Sequence, residues 1–463
     1  MERAPRVPAS SWERELSRRD VLKLGAFLAG AAAIPLLGGC APPTGSPAGS
    51  ALGSARASGP FTVLTGPGDS TEPAIKKVYD DFAALNPGVE WDIREIPGGG
   101  PEWDRLARAT IASGEPVDLV TINGQQVQGW VRDGLLADLG ADSALATVLS
   151  RVPGQFHLPG PGEATTRAFP LAVTRGVHTT GIYYNKAILD QVGLEVPQTF
   201  ADLRAAVRPL SKIGVAPLVH CSGDVFFNQI LLTWVLPMVA EQTGDPVQFV
   251  GKTVRGDIRY DGPEWTQAFG HIADLRTSGV LLDGSGATDY ATMQRLLLDG
   301  KAAMTYNGTW LLPLLQGGTP TVPFDLHVAP PPTIEGASRA RPILAWAGFA
   351  LPAQAQRGRD NAYAFMEFAS RPDVDRSVVA GLQVYSPIAG SNDAIANTVA
   401  KEFLPMFKDA ITSIDWLWEP EVKDEIDSQV QAIVNGTVTP VAAGQAVQAV
   451  AEELRASGRS YYH

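Results

Sequence analysis

The sequence predicts an α/β fold built in two parts, and three observations carry that expectation. Strand-length apolar runs alternate with helix-periodic segments from Phe61 to Ile122. The same alternation returns between Gly181 and Tyr306. The 403 residues from Phe61 onward exceed what one hydrophobic core usually organises.

Taken in order, residues 61–64 read as a short buried strand closed by Gly66-Pro67-Gly68. Ser70 is the expected helix cap, with Glu72 in the first turn and Ile75, Val78, Tyr79, Phe82 and Leu85 at helical spacing. Asn86-Pro87-Gly88 stops that helix, and residues 89–95 alternate as a strand. Pro101 opens a second helix running to Ser113, and residues 117–122 form the next strand. A β-α-β-α-β order implies a parallel sheet, whose ligands sit beyond the carboxyl ends of the strands. Those ends are the loops at 66–70 and 123–126. In the second block, residues 181–184 and 215–220 read as strands. Thr199 and Asp202 make a capping box before a helix over 200–212. Residues 226–241 form an apolar helix and 265–278 an amphipathic one, and 290–299 leads through Gly300-Lys301 into a strand over 302–306. The tail from Pro372 is mostly helical.

Ahead of this globular part lies an export signal. Arg18-Arg19 form a twin-arginine pattern, an uncharged run of 24–39 follows, and Leu37-Gly38-Gly39 precede Cys40. Cys40 is the expected lipidation site, which discards residues 1–39 and anchors the chain at the outer face of the cytoplasmic membrane. Residues 40–60 carry Arg56 as their single charge among Ala, Pro, Gly and Ser, and read as a flexible tether. No other apolar run spans a bilayer; the longest, 230–240, is broken by Pro237.

Six basic and four acidic residues precede Cys40, so the remainder carries 31 basic and 45 acidic side chains, net −14 against −12 for the whole chain. Such a surface repels nucleic acid, which is excluded as a partner. With Cys40 lipidated, Cys221 has no disulfide partner.

Catalytic and metal signatures are missing from the sequence. The histidines His157, His178, His220, His271, His327 and His463 are scattered, and no metal or cofactor is expected. Gly251-Lys252-Thr253 lacks the first glycine of a phosphate loop, since Pro246 stands there. Asp415 and Glu419 are the carboxylate pair that a glycan-cleaving enzyme would need, the alternative to a binding role. Trp310, Trp346, Trp416 and Trp418 sit among loop signals rather than deep apolar runs. Flat rings beside Asn, Gln and Asp suit a neutral polyhydroxy ligand, although tryptophan is as often a core residue.

Six stretches in order resemble family 1 of the bacterial extracellular solute-binding proteins, the maltose-binding-like group. They are VYDDFAALNPGV at 78–89, IASGEPVD at 111–118 (with Val117 between the family's usual Pro and Asp), GLLADL at 134–139, IYYNK at 182–186, VPQTFADL at 196–203 and DGKAAMTYNGTW at 299–310. The resemblance implies the two-lobed periplasmic-binding-protein type II fold with three hinge crossovers, near 179–184, 344–349 and 384–387. One lobe would be 61–180 with 349–384, the other 185–345 with 388–463. It also implies a monomeric receptor that captures a carbohydrate and hands it to an ABC permease, without catalysis. Carried over residue by residue, the ligand-binding positions are Asp69 and Ser70 after the first strand, and Asn123, Gln125 and Gln126 after the third. Trp310 is the stacking tryptophan of N-G-x-W, Phe226 and Trp418 fall near family aromatics, and Trp346, His178 and Asp224 are further candidates. Gln125 and Gln126 stand where maltodextrin binders carry charged groups, so the sugar stays open, as do a polyol, a glycerol phosphodiester or a peptide. Phosphate ligands would want basic residues, and Arg175 is the one near the first crossover, so a neutral mono- or oligosaccharide is the expected ligand.

Overall fold

Strand β1 (Ser58–Thr65) begins inside the stretch expected to be a tether. It pairs in parallel with β2 (Gly88–Glu95) along its whole length, from Ser58 opposite Gly88 to Thr65 opposite Glu95. A side-chain amide holds its start. Asn361 accepts from the Ser58 N–H at 3.1 Å and donates to the Ser58 carbonyl at 3.0 Å, so Ser58-Gly59-Pro60 are strand despite their loop-like composition. The structure, a computed structural model, describes residues 57–460 except 98–99, 141–142, 153–166, 317–321, 323 and 356–358. The export signal and Cys40 lie outside the described residues.

Helix α1 (Pro73–Leu85) follows β1, and α2 (Gly100–Ala112) joins β2 to β3 (Leu119–Asn123), which pairs in parallel with β1. The β-α-β-α-β reading is therefore observed. Ser70 is not the α1 cap, because the helix starts at Pro73, whose missing N–H costs nothing in a first turn. Its buried stripe of Ile75, Val78, Tyr79 and Phe82 meets Phe365 from far along the chain, with Tyr79 stacked on that ring at 5.2 Å. Helix α3 (Gly124–Arg132) starts directly after β3, so the expected loop at 123–126 is the first turn of a helix.

The remaining strands are β4 (Ala168–Pro170), β5 (Val177–Asn185), β6 (Ala216–Leu218), β7 (Ala302–Gly308), β8 (Leu326–Ala329), β9 (Ile343–Ala350) and β10 (Ile411–Thr412). Their order is β2-β1-β3-β9-β5-β7-β6, with β10 and β4 on β9 and β8 on β5. Two strands serve both ends of that order. In β9, Ala347 to Ala350 pair with β3, and Leu344 to Trp346 pair with β5. In β5, Val177 to Thr179 take β9, and Thr180 to Tyr184 take β7. Val177 also bridges Tyr385, whose carbonyl accepts its N–H at 2.8 Å.

Two hydrophobic cores flank this junction. Phe61, Val120, Trp130, Phe169, Phe349 and Phe365 belong to the first. Trp234, Trp265, Phe269, Tyr306, Ile426 and Val447 belong to the second. At about 1.5–3 kcal/mol for each large side chain removed from water, these rings dominate stability. The helix Asn228–Glu241 is buried from Asn228 through Ala240, as its uninterrupted apolar run requires. Among the described residues no helix is long and apolar enough to cross a membrane.

Candidate functional site

Where the two paired regions meet, a cavity lined by five Trp and Phe rings encloses about 280 Å³. One wall is the start of α3, with Asn123, Gly124 and Gln125. The facing wall is the turn at Phe226 and Phe227 and the helix behind it, with Gln229, Ile230 and Thr233. Trp310, His178, Ile343, Ala345, Trp346, Ser413, Asp415 and Trp416 complete it. A second cavity of about 170 Å³ shares Asn123 and is lined by Asp69, Gln126, Thr121, Trp103 and Arg175.

Two indoles lie on glycines. A Cβ on Gly308 would collide with the six-membered ring of Trp310, and one on Gly124 would come within 2.7 Å of Trp416 Cζ2. The glycine of the N-G-x-W stretch thus makes room for its own tryptophan. Trp416 in turn meets Trp346 edge-on at 5.5 Å, and Trp310 meets His178 edge-on at 5.8 Å.

The polar groups are individually anchored. Gln126 accepts the Asn123 N–H at 2.9 Å, closing the start of α3 and leaving Gln125 to face the larger cavity. Asp69, 5% exposed, accepts from Arg175 Nη2 at 2.6 Å and Nε at 3.0 Å, and from Thr65 Oγ1 at 2.6 Å. His178 Nδ1 lies 2.9 Å from Thr309 Oγ1. Burial, assisted by the Arg175 charge, pushes its imidazole down to about 4, so it is neutral at ordinary pH.

Of the residues expected from sequence, Asn123, Gln125, His178, Phe226, Trp310 and Trp346 line the larger cavity, and Asp69 and Gln126 the smaller. Ser70, Asp224 and Trp418 line neither. The Ser70 N–H is 2.7 Å from Glu95 Oε1, which ties the loop to β2. Asp224 accepts the Tyr290 N–H at 2.7 Å and so holds two segments together. Trp418, 4% exposed, packs on Trp265 at 6.0 Å in the second core. Its neighbour Trp416 takes the cavity face instead, since it lies within the 3-10 turn at Ile414–Leu417 and Trp418 follows that turn in extended backbone. Nothing in the sequence around the two tryptophans separates these fates. Phe227, Gln229, Thr233 and Ser413 were also missed, the first three because they sit in a run that reads as core.

Asp415 lines the cavity, and Glu419 does not, so the carboxylate pair of a glycan-cleaving enzyme is not assembled on this wall. Asp415 is buried and accepts from Ser413 Oγ. Behind it, Lys423 Nζ binds Asp427 Oδ2 at 2.6 Å and stands 4.7 Å over the Phe226 ring. Burial raises both carboxyls against the pull of Lys423, Asp427 up to about 7. The folded protein therefore holds this proton more tightly than the unfolded chain does. The stabilisation is full below the unfolded value near 4 and is lost as pH rises through about 7. Asp427→Asn should flatten that slope, so its melting temperature relative to wild type should be a few degrees higher at pH 8 than at pH 5. Parallel melting profiles across that range would contradict the assignment.

The family described as bacterial extracellular solute-binding protein matches residues 68–375. A probable sugar-binding periplasmic protein of Brucella suis is 24% identical over 233 residues, which are 48% of this chain and 51% of that protein. The chain spans about half the length of the curated relatives it matches. Among solved structures, the GacH receptor of Streptomyces glaucescens, studied unliganded and with acarbose, superposes with a TM-score of 0.69 at 21% identity, over 86% of this chain and 98% of that one. The apo form of RafE from Streptococcus pneumoniae gives 0.66 at 16% identity, over 87% and 99%. The shared feature is the mixed α/β periplasmic-binding-protein fold.

Proposed function

Because this chain belongs to the bacterial extracellular solute-binding proteins, a family of non-catalytic receptors, we propose that it captures a mono- or oligosaccharide without acidic groups and delivers it to an ABC importer. The observation that carries this reading is the lining of the larger cavity: five Trp and Phe rings, uncharged Asn, Gln, Ser and Thr groups, one carboxylate, and no Lys or Arg. Aromatic faces cover the C–H faces of a sugar while the amides and hydroxyls bind its hydroxyl groups. Neutral sugars meet that description, and phosphorylated ones do not. The sugar-binding name of the Brucella suis relative and the acarbose complex of GacH support the same cargo class.

In this reading β5, β9 and the segment at Tyr385 are the crossovers between two lobes, 61–180 with 349–384 and 185–345 with 388–463. A ligand that touches both walls binds the closed arrangement better and shifts the population toward it. Asn123, Gln125, His178, Phe226, Trp310, Trp346 and Trp416 form the grip, and Asp69 and Gln126 extend it into the smaller cavity. Export through the twin-arginine signal and lipid attachment at Cys40 would hold this receptor beside its permease as a monomer.

A thermal-shift screen against sugars tests the proposal. A ligand at a hundred times its Kd adds about 2.7 kcal/mol, a rise of a few degrees, with no product formed on incubation. Trp310→Ala should remove that rise while leaving the unliganded protein folded. A flat response to every carbohydrate would sink the cargo class, and turnover of a binding sugar would restore the enzyme.

A further inference from the structure

We infer that the sugar taken by the larger cavity carries a protonated amine, an amino sugar rather than its hydroxyl or acetamido counterpart. The inference rests on the carbohydrate reading and adds the charge of the cargo.

The first argument is the acid in the cavity wall. Asp415 and Asp427 are both buried, 5% and 2% exposed, and Lys423 is the one cation beside them. That ammonium is ion-paired to Asp427 and stands over the Phe226 ring. Asp427 Oδ1 has no hydrogen-bond partner among the described residues, and Asp424 adds further negative charge from the same helix. Ser413 gives Asp415 a neutral hydroxyl and no charge. From the other walls, His178 is neutral, and the charges of Arg175 and Asp69 cancel each other in the adjoining cavity. Asp415 therefore brings to the cavity a carboxyl with no basic group bonded to it, among lining residues that include no Lys or Arg, an arrangement that a ligand cation would complete.

The second argument is the hydrogen-bond inventory. Gln229 is 8% exposed and lines the cavity, and its Oε1 has no partner among the described residues. This acceptor and the Asp415 carboxylate ask for donors, while Trp310 Nε1, also without a partner among the described residues, asks for an acceptor that the sugar's hydroxyls supply. An ammonium offers three N–H groups and no acceptor, where a hydroxyl offers one of each. The aromatic walls add to this preference, because ring faces attract cations and Trp attracts them most. A bare divalent ion is a poorer fit, since one carboxylate and one amide oxygen fall short of its usual six to eight oxygen ligands.

Calorimetry on the full protein at pH 6.5 and low salt tests this with matched sugars. Glucosamine, galactosamine and mannosamine are each compared with their parent hexose and N-acetyl form. At least one amine should bind about tenfold or more tightly than both its partners, about 1.4 kcal/mol. That ratio should fall as pH rises past the amine's own titration, a check that needs no variant. Asp415→Asn, confirmed folded by its melting curve, should bring the ratio toward one. If every amine binds no better than its hydroxyl partner, including the case in which none binds, the inference is overturned. The carbohydrate reading fails separately, only if no sugar of the wider thermal-shift screen stabilises the protein.

Discussion

Gly124→Ala should weaken sugar binding roughly a hundredfold, about 2.7 kcal/mol, while shifting the melting temperature by a few degrees at most. Gly124 is the first residue of α3, where alanine costs nothing conformationally and is the better helix former. Its Cβ, however, would stand 2.6 Å from Trp416 Cζ3 and 2.7 Å from Cζ2. A flat indole has no flexible end to withdraw, and Trp416 is 4% exposed and braced edge-on by Trp346. The added methyl therefore separates the start of α3 from the segment at Ile414–Leu417, both of which line the cavity that a bound sugar fills. Trp416 also packs into the first core, so part of the cost is a lower melting temperature, and the larger effect falls on affinity because the same contact borders the cavity. Calorimetry with the best sugar of the screen, beside a melting curve, reads both quantities. Unchanged affinity would show that Trp416 does not need to rest on Gly124 when ligand is held.

Gly176→Ala should act on stability instead, lowering it by about 2–4 kcal/mol. Gly176 has φ of 69°, a region that costs a residue with a Cβ about 1 kcal/mol or more. The new Cβ would also sit 3.0 Å from the Tyr385 carbonyl carbon and closer still to its oxygen. That oxygen accepts the Val177 N–H at 2.8 Å, so it cannot move without breaking the bridge between β5 and the chain at Tyr385. Overpacking against fixed backbone adds about 1–3 kcal/mol. Chemical denaturation would show a lower midpoint at constant slope, and an unchanged midpoint would mean that this junction is more pliant than its hydrogen bonds imply.

Much of the architecture was legible because it is written in local periodicity. The helical stripe Ile75, Val78, Tyr79 and Phe82 and the capping box of Thr199 with Asp202 depend on neighbours a few residues away, and both stand where the pattern put them. The cavity was only half legible. Trp310 and Asn123 sit in recognisable stretches at strand ends, but Trp416 and Trp418 differ only in the side of the chain they occupy, which distant packing decides. Gln125 and Gln126 look alike in sequence, yet one faces the larger cavity and the other closes a helix start. Ser70 is a good cap by residue type, and Pro73 three places later takes the helix start from it.

The amide of Asn361 on Ser58, and the Phe365 ring 6.0 Å from Phe61, join residues some three hundred positions apart. During synthesis, the first strand to emerge therefore waits for most of the chain before it finds the partners that enclose it. Closing so long a loop is entropically slow, and contacts of this separation delay folding more than they weaken the finished protein. Until Phe365 arrives, Phe61, Tyr79 and Phe82 have Trp91 against them but lack the ring that closes the cluster. The nascent chain is thus most prone to aggregation in the interval before residue 365 is made, so conditions that shorten this wait should raise the yield of folded protein.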